Sequence, residues 1–214
     1  MAKGLSLVWE ILRKAVHLLS PLVIVLAYTF MLKYFSERFA ILVLTAFLLA
    51  FLEFEYMRVE ERSRLALIFE GFFRKHEKNT LSGAVFVIIS CIICFSAFDY
   101  WVAVLALFMM SFGDIFSSLI GSVWGKTRLF RRKTIVGTLA GFTANFGFGV
   151  LILPEFLLLV LPMAVVATFS EMTTNKLDDN LTVPLFAGFV GQMIVYFYNI
   201  GLPSYDFLTL FNIS

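Results

Sequence analysis

Seven stretches of this chain are nearly free of charge and about as long as a bilayer is thick: 15–32, 39–57, 81–98, 101–121, 137–153, 156–170 and 183–200. An apolar run of about 18 residues reads as a transmembrane helix, because a helix of that length matches the hydrocarbon core. The sequence therefore predicts an all-α polytopic integral membrane protein with about seven transmembrane helices. Several runs are short or glycine-rich, so tilted or broken helices are expected. Composition excludes the soluble alternative. Only 15% of residues are charged and 60% are hydrophobic, whereas a soluble domain carries about a quarter charged residues. The N-terminus shows no cleavable signal pattern, and its first apolar run is long enough to span. The turns around Asp99–Tyr100 and Pro154–Glu155 are very short, which makes spans three and four, and five and six, antiparallel hairpins.

Orientation follows from the loops. Lys3, Arg13 and Lys14 precede the first run, and Arg58, Arg62, Arg64, Arg74, Lys75 and Lys78 lie between the second and third. Lys126, Arg128, Arg131, Arg132 and Lys133 lie between the fourth and fifth, and Lys176 between the sixth and seventh. With seven spans these four segments share one side and hold 15 of the 17 Lys and Arg residues, leaving Lys33 and Arg38 on the other. Positive loops mark the cytoplasmic side, so the N-terminus is expected in the cytoplasm and the C-terminus outside. The segment 58–79 mixes charges with Leu65, Leu67, Ile68, Phe69, Phe72 and Phe73 and reads as an amphipathic interfacial helix. No repeat or low-complexity tract interrupts the chain, so residues 1–214 are expected to form a single transmembrane domain. Cys91 and Cys94 stand in an apolar run without polar partners and read as small core residues rather than a metal or redox pair.

An ionisable side chain inside a span is costly unless paired or hydrated, which makes it a functional candidate. Asp114 is the clearest, about two turns from the expected end of the fourth span. Ser117, Ser118 and Gly121 follow at three, four and seven residues, on one small, polar helix face. Gly121-Ser-Val-Trp-Gly125-Lys126-Thr127 looks like a phosphate-binding loop, but it has three residues between the glycines where the Walker pattern has four. It can still act similarly: a glycine-rich helix exit opens backbone groups, and Lys126 supplies a charge that attracts phosphate. Arg131, Arg132, Lys133 and Thr134 then lead into Gly137, where a helix N-terminus favours anions. That cluster suits a triphosphate or an anionic lipid headgroup. Gly137 and Gly141 have the spacing of close helix packing.

A third group is Glu171 with Asp178, Asp179 and Asn180, which offers hard oxygen ligands for Mg²⁺. Pro184 suits the first turn of the seventh helix, with Asn180 or Thr182 as its cap. Arg13, Lys14 and His17 stand at the entrance to the first span, where Lys14 and His17 share a helix face. Glu53 and Arg58 close the second span and suit a salt bridge or hydrogen-bonding role as well as a catalytic one. Asn145 and Gln192 read as interhelical hydrogen-bonding residues. All the strong candidates lie on the expected cytoplasmic side, where soluble nucleotides are. An acid, phosphate-binding lysines and a carboxylate pair at a lipid interface suggest phosphoryl or nucleotidyl transfer to a lipid headgroup.

At these residues the sequence resembles the polyprenol kinase family, which includes dolichol kinase, phytol kinase and CTP-dependent diacylglycerol kinase. The matches, in the family's order, begin with Arg13-Lys14-x-x-His17, Thr80-Leu-Ser-Gly83 and Gly113-Asp114…Gly121…Gly125-Lys126. Lys133-Thr134-x-x-Gly137 follows, then Glu171 with Asp179-Asn180-Leu181-x-x-Pro184. Val136 stands where members often carry an acid. The resemblance implies transfer of the terminal phosphate of CTP, or another nucleotide, to the hydroxyl of a polyprenol, phytol-like alcohol or diacylglycerol, with Mg²⁺ expected. Carried over by position, it implies that Lys126 and Lys133 hold phosphates, with Gly113, Gly121, Gly125, Arg132, Thr134, Gly137, Lys14 and His17 lining the nucleotide site. Asp114 would bind metal or take the alcohol proton. Asp178, Asp179, Asn180 and Glu171 would complete the metal and nucleotide site. The partners implied are nucleotide, lipid alcohol and bilayer, with no nucleic acid. Two other readings compete. A CTP-dependent cytidylyltransferase would use the same nucleotide, but its Asp-x-x-x-Asp type signature is absent from Asp178-Asp-Asn-Leu-Thr. A transporter would carry midplane polar residues and repeats.

Overall fold

In a computed structural model of the chain, residues 2–60, 80–130, 133–174 and 177–204 are described, the side chains of residues 2–14 excepted. Among them are seven helices: α1 (Ala2–Tyr34), α2 (Glu37–Val59), α3 (Gly83–Ala97), α4 (Tyr100–Trp124), α5 (Ile135–Ile152), α6 (Leu157–Thr173) and α7 (Asp179–Tyr198). Strands β1 (Arg128–Phe130) and β2 (Lys133–Thr134) form an antiparallel ribbon between α4 and α5. Five helices are long and apolar enough to cross a membrane, and α3 and α6 are shorter apolar helices. The chain is thus an all-helical membrane protein. Hydrocarbon offers a backbone amide no water, so each run must satisfy its own hydrogen bonds as a helix.

Local chemistry sets the helix ends. Ser36 caps α2, its hydroxyl accepting from the Phe39 amide at 3.3 Å. α7 stops at Asn199, which adopts the left-handed conformation at φ 47° that Asn tolerates at a helix C-terminus. Two boundaries differ from the sequence reading. The fourth helix continues through Gly121 to Trp124, so Gly121 lies inside a helix and Gly125 alone forms the exit. The seventh helix starts at Asp179 because Asp178 caps it, accepting from the Asn180 amide at 2.9 Å. Neither Asn180 nor Thr182 is the cap, and Pro184 falls in the second turn.

Two compact units divide the chain, residues 1–92 and 93–214. The first holds α1, α2 and most of α3. Its α1–α2 hairpin carries buried Val25, Tyr28, Ala40 and Leu44. In the second, α4 packs against α5, α6 and α7. Trp101 to Ser111 are buried without interruption, as expected for a helix that is apolar all round. The tight hairpin of α5 and α6 forms as expected. Gln192 of α7 clasps the turn between α3 and α4, accepting from the Asp99 amide at 2.8 Å and donating to its carboxylate at 3.2 Å. Cys91 and Cys94 are both buried thiols. Most of the interfacial segment 58–79 lies outside the described residues, as do Arg131, Arg132, Lys176 and residues 205–214.

Candidate functional site

The polar candidates of the second unit gather at one end of its bundle. α4 and α6 finish there and α5 and α7 begin there, which brings together residues far apart in sequence. Asp114 lies ten residues before the end of α4, about 15 Å along the helix and deeper than the shorter helix expected from the sequence implied. Glu171 comes from the last turn of α6 and is 6% exposed. Its Oε1 accepts from Lys133 Nζ of β2 and from Ser117 Oγ of α4, both at 2.5 Å. Burial disfavours the Lys133 charge. The attraction of Glu171, together with its hydrogen bond and the charges of Asp114 and Asp179, outweighs that and raises the ammonium pKa above its usual value. The charges of acids on α4, α6 and α7 therefore act on one lysine, while its side chain remains 32% exposed.

Glycines bring α4 and α5 close enough for this. A Cβ on Gly137 would come within 2.7 Å of the Ser117 carbonyl oxygen and 3.0 Å of Gly121 Cα. Gly141 likewise faces Ser117, so the small-residue spacing serves helix packing. Gly125 leaves room for the Thr134 side chain, which any Cβ there would strike. Thr134 caps α5, accepting from the Gly137 amide at 3.1 Å. The ribbon pairs Arg128 with Thr134 and Phe130 with Lys133, and this pairing holds the cap and the lysine next to each other. Gly113 packs against the Asn145 side chain. Asn145 is 1% exposed and donates to Thr168 Oγ1 at 3.2 Å, the interhelical role expected of it.

The four carboxylates expected around a metal do not gather as one set. Among the described residues no three Asp, Glu, His or Cys side chains form a cluster that could hold an ion. Glu171 is engaged by Lys133 and Ser117, and Asp178 caps α7. Asp114 and Asp179 both act on the Lys133 charge. Mg²⁺ is commonly held by one or two carboxylates with the rest supplied by phosphate and water, so a single half-buried acid such as Asp179 at the start of α7 suits an ion that arrives with a nucleotide. Lys126 is exposed in the turn after Gly125, and Asn180 is buried in the first turn of α7. His17 belongs to the first unit, and the Lys14 side chain and Arg132 lie outside the described residues.

A second buried carboxylate, in the first unit, was not identified from the sequence. Glu55 is 1% exposed and accepts from Arg58 Nη2 at 2.6 Å, from the Ser82 amide at 3.1 Å and from Ser82 Oγ at 3.0 Å. Arg58 also donates to the Thr80 carbonyl at 2.7 Å. The expected partner, Glu53, is exposed instead. Five residues from Arg58, it falls on another face of the helix, whereas Glu55 sits at the three-residue spacing that brings side chains together. That spacing was the available signal. Thr80-Leu-Ser-Gly83 thus anchors the end of α2.

Two known proteins match part of the chain. Over 74 residues the chain is 34% identical to CTP-dependent diacylglycerol kinase 1 of Eremothecium gossypii. Over 74 residues it is 30% identical to CTP-dependent diacylglycerol kinase 1 of Schizosaccharomyces pombe. Each match covers 34% of this chain, and 23% and 34% of the two relatives respectively. The chain therefore spans well under two thirds of their length. No protein-family model matches it, and no solved structure does.

Proposed function

We propose that this protein is a CTP-dependent lipid kinase whose site lies at the cytoplasmic membrane boundary. The observation that carries the reading is the ion pair of Lys133 with Glu171, on whose lysine the charges of Asp114 and Asp179 also act, at the shared end of α4, α5, α6 and α7. A cation held among acids beside a helix N-terminus suits a metal-bound polyphosphate. The partial similarity to CTP-dependent diacylglycerol kinases supports the choice of nucleotide and of a lipid acceptor.

In this reading Lys126 and Lys133, with Arg132, attract the phosphates, and Glu171 and Ser117 hold Lys133 aimed at them. Asp114 accepts the proton of the lipid hydroxyl. The hydroxyl oxygen bonds to the terminal phosphorus as the bond from that phosphorus to CDP breaks, yielding a lipid phosphate and CDP. Mg²⁺, held by Asp179 together with the nucleotide phosphates, would neutralise charge building on the phosphate oxygens. The acceptor is a primary or near-primary lipid alcohol: a polyprenol, a phytol-like alcohol or diacylglycerol.

The test is to incubate detergent-purified protein with terminally labelled CTP or ATP and a panel of those lipids. Label should pass from CTP to at least one lipid with release of CDP. Pyrophosphate and a CDP-lipid would make it a cytidylyltransferase, and label in no lipid with either nucleotide would overturn the transferase reading.

A further inference from the structure

The ribbon between α4 and α5 carries charge that the site does not use. Residues 115–154 hold five Lys or Arg and no Asp or Glu. Three of the five, Lys126, Arg132 and Lys133, belong to the nucleotide reading; Arg128 and Arg131 do not. Arg128 is exposed on β1 and makes no ion pair or side-chain hydrogen bond among the described residues. Two contacts fix its level. The Ile135 amide donates to the Thr127 carbonyl at 3.1 Å, and Arg128 pairs with Thr134 across the ribbon. Ile135 is the first residue of α5, one of the helices long and apolar enough to cross a membrane. Arg128 therefore stands level with the cap of a membrane span, where lipid phosphates lie. α4 agrees: its 25 residues extend about 37 Å, beyond a hydrocarbon core of about 30 Å, so its last turn reaches the headgroup layer. The side chains near Arg128 are not those of a ribbon standing in water. Leu129 and Phe130 are exposed, and so are Val123 and Trp124 at the end of α4. Large apolar side chains beside arginine, with a tryptophan among them, suit a surface that lies in the interfacial layer.

We propose that β1 and the last turn of α4 form a docking surface for anionic phospholipid headgroups. Arg128 meets the lipid phosphate, and Trp124, Leu129 and Phe130 enter the acyl boundary. Charge decides the occupant. The segment is basic and free of acids, and the cytoplasmic leaflet, which this end is expected to face, is anionic. Arg128 and Lys133 thus divide the ribbon between them: the lysine is bonded to Glu171 at the site, and the arginine is left for the bilayer. The docking surface goes beyond the lipid-kinase reading and does not depend on it.

To test it, Leu129→Cys is labelled with a nitroxide, Cys91 and Cys94 being buried. The protein is placed in nanodiscs of phosphatidylcholine alone or with about a third phosphatidylglycerol, which supplies the anionic surface. Label depth is read from its accessibility to oxygen and to a water-soluble nickel chelate. In the anionic discs the label should sit at the acyl boundary, shielded from nickel; in phosphatidylcholine it should be more open to water. Arg128→Ala should shift the docked-to-open ratio in the anionic discs about fivefold toward open, the worth of one basic residue at such a surface. Arg128→Lys, which keeps the charge, should restore it. Equal depth in the two discs, or no change in Arg128→Ala, would overturn the headgroup assignment. A third arm adds inorganic phosphate to the phosphatidylcholine discs and should leave the label where it was. If phosphate moved the label as the anionic lipid does, the site would be one for free phosphate and the docking surface would be overturned. Phosphate transfer measured in the same discs is a separate readout, whose absence would count against the kinase reading alone.

Discussion

Glu55 and Glu171 are each gripped by a cation and a serine, yet their surroundings differ in kind. Glu55 is enclosed: the Arg58 side chain is 7% exposed, and Ser82 donates to Glu55 through both its amide and its hydroxyl. The grip ties the end of α2 to the start of α3 within the first unit. Glu171 is buried too, but its cation is a lysine with a 32% exposed side chain, and two further acids from other helices act on that lysine. Arginine with its fixed fork suits a closed clamp, while a lysine on a flexible stem can move from a carboxylate to an incoming phosphate. The same trio of residue types is thus closed at one end of α2 and left open beside α4.

Substitutions can break this contrast at either place. The largest expected effect is at Asp114. Asp114→Asn should lower transfer about a thousandfold, within the usual range for losing a proton acceptor, while yield and thermal stability in detergent stay near the parent; full activity would sink the assigned role. Next comes Arg58→Ala, which leaves Glu55 buried without its cation. A loss of about 3–5 kcal/mol is expected for a broken buried pair, read as a sharp fall in melting temperature or recoverable protein. Lys133→Ala should do the reverse, costing activity about a hundredfold with a much smaller change in melting temperature. If it destabilised as strongly as Arg58→Ala, the contrast between clamp and site would be lost.

A smaller effect is expected at Thr134→Ala, which removes the cap of α5 and should cost about 1 kcal/mol, measurable as a modest drop in melting temperature. The smallest concerns pH. Because the Lys133 pKa lies above its usual 10.5 in the folded protein, its stabilising charge is fully present below that value and fades only as pH rises through the folded value. The contribution of the Lys133 charge should therefore be flat between about pH 6 and pH 9. A melting-temperature difference between parent and Lys133→Ala that shrank across that window would contradict it.

How much of this could be read in the sequence depended on how local each feature is. The apolar runs became helices because hydrocarbon leaves the backbone no other solution, and Asp114, Asn145 and Gln192 stood out by being polar within them. Helix ends were harder. The cap at Asp178 and the continuation of α4 past Gly121 turn on one hydrogen bond and one close glycine contact. The ribbon of β1 and β2 is too short to show a periodic pattern. Glu171 was noticed as a metal candidate, but its bond to Lys133, 38 residues away, was not.

The sequence by itself therefore determined the solvent of this chain, the number of its apolar helices and the polar residues that had to be satisfied within them, since each follows from transfer of side chains and backbone out of water. Only the tertiary structure decided which carboxylate meets which cation, and whether that meeting is closed, as at Glu55, or open, as at Glu171. Those pairings depend on the rotation and depth of whole helices, set by contacts such as Gly121 on Gly137 that no single segment encodes.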